Sequence, residues 1–446
     1  MGVAAALWQR QQVLSTLPKQ RPAIPPLLVV APPTRVGVFI LPIDTSPGDS
    51  IRTILDRDVE SGDWMHVLPL DSASNAVAIV HVTPTAGGVH VELIDGRTLR
   101  LYRAQDFALP APAPAPAPRS ASAMPTAHDS APGMAVAAAA ATADERQRWA
   151  IHGIADALHA WVTGHRGVAQ SRIAYVSRHA IHLIDTDGAH DYTITHDDIA
   201  LSPAWSHDGR ALVYTDLNRG GSRIAEIDLC RGTRRWLAAT LRGLNITPLY
   251  SPDDQWIVFA HGDDEGTSLV ATRRDSPTTL RTVMPRRWGD LSSPTFRADG
   301  GRIAFVAARA TTPQIYSVNA DGTDERLETP FTSGTRSYRA SPDWSPDGKT
   351  IAFEQQRGNF QIWLLALSDR AMHQLTSIGE NEDPTWAPDS RHLAFTSTRR
   401  GKKDIWVLDL PSGRLRQVTR AGDARLAAWS PLWRSRSSES PCSGSS

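Results

Sequence analysis

The chain of 446 residues is too long for one ordinary hydrophobic core, so two or more units are expected. Its 47 basic and 47 acidic side chains cancel, which removes the non-specific pull toward nucleic acid that a basic protein has. No stretch approaches the ~20 apolar residues of a membrane-spanning helix. The opening run MGVAAALW is broken by Gln9, Arg10, Gln11 and Gln12, so no export signal is recognisable there.

Residues 1–33 read as an irregular, Pro-rich arm. RVGVFILPI (35–43) predicts a buried strand, and DSIRTILDRDV (49–59) a short amphipathic helix opened by an acidic cap. Strands follow in MHVLPLD (65–71), AVAIVHVTPT (76–85) and VHVELID (89–95), the last two joined by a turn at Ala86-Gly87-Gly88. LRLYR (99–103) is a further strand candidate. Residues 109–142, opening LPAPAPAPAP, lack the large apolar groups needed to pack and read as a disordered tether. In the next segment, 143–164, Ile151, Ile154, Leu158, Trp161 and Val162 share one helical face. That stripe must be buried, and the nearest sheet precedes the tether. The expectation is a small α/β domain over 34–166 that contains the tether.

From residue 172 one sentence recurs: SPAWSHDGRALVYTD (202–216), TPLYSPDDQWIVFAH (247–261), SPTFRADGGRIAFVA (293–307), SPDWSPDGKTIAFEQ (341–355) and DPTWAPDSRHLAFTS (383–397). A shortened copy, AAWSPLW, follows at 427–433. The aromatic anchors Trp205, Tyr250, Phe296, Trp344, Trp386 and Trp429 step by roughly 42 to 48, the period of four-stranded propeller blades. Pro203, Pro248, Pro294, Pro342 and Pro384 stand two residues before the aromatic in the five full copies. Proline cannot donate to a β-ladder, so this strand is an edge, the one that faces a propeller's channel. The array begins with strands two to four of a blade (RIAYVS onward) and ends with only a first strand. Together the two fragments make one blade, so a closed six-bladed propeller is expected over 167–432, with a disordered tail at 433–446.

No chemistry-bearing motif accompanies the array. G-x-S-x-G, G-x-x-x-x-G-K-[ST], HExxH and EF-hand patterns do not occur. Cys230 reads as part of a strand and Cys442 as part of a Ser-rich tail, so no structural disulfide is expected, and without a CxxC pair no thiolate zinc site. His207 and His392 fall in predicted hairpin turns at unequal repeat positions, and read as surface or structural histidines. Asp208, Asp299 and Asp347 are explained by their Asp-Gly turns without calcium. RRGKK (399–403) reads as a solvated basic hairpin tip. Trp288, Trp363 and Trp406 read as packing between blades. No catalytic, cofactor or metal-ligating set is expected.

Taken in order, the helix running into RIAYV, the hairpin AVAIVHVTPTAGGVHVELID, the opening strand and helix, and the W-S-P-D-G repeats resemble the TolB family of Tol–Pal proteins. The family's PD40-type, WD40-like repeats imply the same six-bladed propeller, closed by N- and C-terminal strands and preceded by a small α/β domain. Three features depart from it: SASN (72–75) stands where a helix is expected, the tether is an insertion, and the arm lacks an export signal. The resemblance implies a periplasmic, monomeric, non-catalytic scaffold of the cell envelope, acting in protein transport and cell division. Its partners would be a Pal-like peptidoglycan-associated lipoprotein and a TolA-like inner-membrane protein. The matching positions at the mouth are Asn245, Thr247, Ser292, Ser293, Asn381 and Glu382, whereas Leu244 stands where a polar contact would be expected. A propeller of peptidase or metal-dependent lyase type, and a degenerate TolB paralogue, are the alternatives.

Overall fold

The computed structural model describes residues 35–41, 43, 48–110, 143–195, 199–218, 221–286, 290–309, 312–330 and 337–432. The arm at 1–33, most of the tether, Trp288 and the tail with Cys442 lie outside the described residues. Two compact units are present.

The first unit holds residues 35–167. Its strands are β1 (Val36–Ile40), β2 (Met65–Val67), β3 (Ala78–Thr85), β4 (Gly88–Asp95) and β5 (Leu101–Ala108), in the order β2-β1-β3-β4-β5. β1 pairs in parallel with β2 and β3, as a crossover demands, and helix α1 (Gly48–Ser61) forms the first crossover. Helix α2 (Ala143–Thr163) packs on α1. Ile151, Ile154, Leu158 and Trp161 are buried as the stripe requires, and Val162 is half-buried. The strand seen in LRLYR runs on to Ala108, where Phe107 meets Trp161 at 6.2 Å between ring centres. Between β2 and β3 there is only a 3₁₀ turn, Leu70–Asn75.

The second unit is a ring of six four-stranded sheets. The inner strands are Ile199–Trp205, Leu244–Tyr250, Leu291–Phe296, Arg339–Trp344, Asn381–Trp386 and Arg425–Trp429, numbered here as blades one to six. Each neighbours the next, and the sixth neighbours the first. The sixth sheet joins Arg425–Trp429 antiparallel to Arg172–Ser177, with Trp429 opposite Ile173. At this seam Ser430 N donates to Arg172 O (2.8 Å), and Trp429 Nε1 to Ser171 Oγ (2.8 Å).

Each second strand buries one aromatic: Tyr175, Tyr214, Phe259, Phe305, Phe353 and Phe395 are all at most 1% exposed. Burial of such a ring stabilises by about 1.5–3 kcal/mol, which explains why the repeat keeps an aromatic there. Trp363 packs with Ala304 and Ile315 of the blade before it, and Trp406 with Ile362.

The turns behave as their residues dictate. Asp208, Asp299 and Asp347 accept from the amides of Arg210, Gly301 and Lys349, and Gly209, Gly300 and Gly348 supply φ of 71° to 73°. Blades two and five place Asp254 and Ser390 at this left-handed position, and both side chains compensate. Asp254 accepts from His207 N (2.7 Å) and Ser390 from Asp347 N (3.0 Å), each in the preceding blade.

Two sequence expectations are corrected. Cys230 lies in a turn, not a strand, and is disulfide-bonded. The expectation rested on a strand at Cys230; the turn that stands there leaves its side chain half-buried, within reach of a second thiol. His392 opens a strand instead of sitting in a turn. It is buried, with Nδ1 2.6 Å from Asp389 Oδ2, because the Asp389 side chain closes the turn before it.

Candidate functional site

The channel wall is built from the six inner strands, and each carries the same break. The residue three positions before the aromatic anchor has left-handed backbone, φ 48° to 54°: Ser202, Thr247, Ser293, Ser341, Asp383 and Leu426. In all six sheets the ladder to the second strand slips at this point. It is a β-bulge, held at a conformation that non-glycine residues disfavour.

A bulge takes amides out of the ladder, and buried amides need acceptors. The preceding blade provides them. Thr247 N donates to Thr215 Oγ1 (3.1 Å), Ser293 N to Thr247 Oγ1 (3.1 Å), Asp383 N to Glu354 Oε2 (3.0 Å) and Leu426 N to Thr396 Oγ1 (3.3 Å). The amide of the aromatic residue is received in the same way in three blades. Trp344 N donates to Thr295 Oγ1 (3.3 Å), Trp386 N to Asp343 Oδ2 (2.8 Å) and Trp429 N to Thr385 Oγ1 (3.4 Å).

The wall position between proline and aromatic thus holds Thr295, Asp343 and Thr385 on blades three to five. Blades one, two and six hold Ala204, Leu249 and Ala428 there. Asp343 ties three blades together, since Thr295 Oγ1 also donates to its Oδ1 (3.1 Å). Enclosure by the wall raises its carboxyl to about 6, against hydrogen bonds from Trp386 N, Thr295, Thr385 and Trp344 N that favour the charged form. Sequence reading missed Asp343 as a wall residue. The available signal was a charge in a slot that other copies fill with alanine, leucine or threonine.

The mouth positions expected from the sequence all lie at the beginning of inner strands, on one end of the ring, and in strands instead of loops. Thr247, Ser292 and Ser293 are half-buried on adjacent blades, and Thr247 and Ser293 are joined by the bulge bond above. Asn245 is buried and committed internally: its Nδ2 donates to Leu241 O (3.1 Å), and His261 Nδ1 lies 2.9 Å from its Oδ1. Asn381 is buried in the same role, with Nδ2 donating to Gln361 Oε1 (2.9 Å) and Ile378 O (3.1 Å). Glu382 is paired with Lys403 at 2.7 Å. Asn381 and Glu382 sit two blades from the other group.

Among the described residues no helix is long and apolar enough to cross a membrane. The bulged wall and the seam define a six-bladed β-propeller locked by its own chain ends. The family model of the TolB beta propeller domain (PD40) matches residues 159–433, and the chain belongs to that family. Among its relatives, the Tol-Pal system protein TolB of Bordetella parapertussis is 29% identical over 296 residues, covering 56% of this chain and 66% of that protein. The Tol-Pal system protein TolB of Xylella fastidiosa is 39% identical over 106 residues, 22% of this chain and 24% of that protein. The chain therefore matches less than two thirds of either relative's length. The crystal structure of TolB from Acinetobacter baumannii superposes with a TM-score of 0.73 at 21% identity, covering 90% of this chain and 98% of that one. At that identity the likeness is one of fold.

Proposed function

We propose that the chain is a non-catalytic scaffold of a Tol–Pal envelope system in the periplasm. It receives a protruding segment of a Pal-like lipoprotein at the mouth where the inner strands begin, and so supports envelope integrity and cell division. The observation that carries this reading is the wall itself, in a chain of the TolB propeller family. Side chains of one blade satisfy the amides of the next, so the mouth is a rigid rim that loses little entropy when a partner docks. Thr247, Ser292 and Ser293 offer half-buried hydroxyls to the partner. Asn245 and Asn381 act from beneath, holding the segments that lead into their strands, and the buried Glu382 acts the same way by holding Lys403 at the rim. A TolA-like inner-membrane protein is the second partner, reached through residues outside the propeller.

The test is retention of a soluble Pal-like lipoprotein domain by the immobilised full-length chain. Retention is expected, and Ser293→Trp, which fills the rim, is expected to abolish it. No retention by a chain that shows its native thermal transition would remove the reading.

A further inference from the structure

The mouth at which the inner strands begin carries its charge unevenly. On blade two the hairpin tip presents Asp263, Asp264 and Glu265, and Arg286 is drawn into ion pairs with Asp263 and Glu265. On blades four to six the tips are basic. Arg357 stands on blade four, Arg400 and Lys402 on blade five, and Arg420 and Arg178 on blade six, all exposed. None of the five makes an ion pair among the described residues. Because the whole chain has a formal charge of zero, this arc is a local concentration and not a by-product of a basic protein.

A buried charge reinforces the arc. Arg339, 2% exposed, begins the inner strand of blade four. Its guanidinium donates to Gln355 Oε1 (2.8 Å), Gln314 Oε1 (2.7 Å) and Pro330 O (3.0 Å), all neutral acceptors. Among the described residues no carboxylate pairs with it, and burial with the nearby Arg357 pushes its pKa down. The tips touch in series. Asn359 Nδ2 donates to Gly379 O (3.4 Å), Gly379 lies against the Arg399 backbone, the backbones of Lys403 and Asp423 pair as a single β-bridge, and Arg178 N donates to Asp423 Oδ2 (2.9 Å). Two of the cations are pre-set by stacking, Arg357 at 5.0 Å over Trp363 and Arg400 at 5.4 Å over Trp406. Within the arc Ile378 is 65% exposed.

We propose that this arc docks an extended acidic segment of a partner protein, with an apolar residue of that segment seated on Ile378. The proposal rests on the reading that the mouth receives a protein. A peptide fits better than a nucleic acid, because Trp363 and Trp406 lie buried under their arginines and leave no aromatic platform for bases.

The full-length chain is titrated, by fluorescence anisotropy, with a labelled peptide of about twelve residues made of glutamate and serine around one leucine. Its glutamine-for-glutamate counterpart and an oligothymidylate of equal charge are the other arms. The acidic peptide is expected to bind and the glutamine peptide not. Arg400→Glu with Lys402→Glu is expected to weaken binding at least about tenfold, as is raising salt from about 50 to about 300 mM. Lys349→Glu, on the opposite mouth, is expected to change nothing. Should the double reversal not fold, Arg400→Gln with Lys402→Gln is expected to weaken binding in the same direction. Equal binding of both peptides, indifference to the substitutions, or tighter binding of the oligonucleotide overturns the proposal. Loss of Pal-like retention with acidic-peptide binding intact removes the Tol–Pal reading alone. Retention unaffected by the double reversal removes the arc alone.

Discussion

The two halves of the channel wall solve one problem by different chemistry. On blades three to five, Thr295, Asp343 and Thr385 receive the amide of the next blade's aromatic residue. On blades one, two and six the same slot holds Ala204, Leu249 and Ala428, whose side chains offer no acceptor. There, cohesion comes from packing, from the indole of Trp205 donating to Ala428 O (3.0 Å) and from the seam at Trp429. The backbone of the bulge is common to both halves. What differs is whether directional bonds or apolar contact hold the next blade. Directional bonds fix geometry, and apolar contact tolerates adjustment.

The comparison breaks most severely at the seam. Trp429→Ala removes a 7% exposed indole and its bond to Ser171, and is expected to destabilise the propeller by about 3–5 kcal/mol in urea unfolding. Next comes Asp343→Ala, which strands Trp386 N and the Thr295 hydroxyl. A loss of about 2–3 kcal/mol is expected, against under about 1 kcal/mol for Leu249→Ala in the half-exposed apolar slot. Equal losses at the two positions would erase the distinction between the halves.

A third test uses pH. The Asp343 carboxyl at about 6 lies above its unfolded value, so the folded chain holds the proton more tightly. Stability is therefore expected to fall as pH rises from about 4 to about 6, on the order of 2 kcal/mol once channel water is allowed for, and to level off above that. Asp191, Asp389 and Asp409, held below the usual carboxylate value by hydrogen bonds and charge partners that outweigh burial, act with the opposite sign. The readout is thus the difference between Asp343→Asn and the native chain, measured by thermal unfolding at each pH. A difference that does not change with pH would show that the wall does not perturb Asp343. The smallest effect is a gain. Ala204→Thr offers the apolar half an acceptor for the amide of Tyr250, and is expected to stabilise by about 0.5–1 kcal/mol.

Much of the ring was legible because its signals are local. Pro342 and Trp344 bracket one edge strand, Asp347 and Gly348 make one turn, and Phe353 fills one core. Each statement needs only a dozen residues. The mouth was legible as a place and less so as a surface. Asn245 and Asn381 were expected at it and are there, but buried and bonded inward. RRGKK was read as a solvated tip. Its neighbours Arg178, Arg357 and Arg420 come from other blades, so the arc they form is invisible along the chain.

Composition and period alone settled that this protein is a propeller of six blades with its ends paired, because a four-stranded sheet repeated at one spacing can bury both faces only by closing on itself. Tertiary structure alone decided which side chains receive the amides released at each bulge, that Cys230 is cross-linked, and where unpaired cations gather. Those partners lie tens of residues apart or more, and such contacts leave no mark in local order.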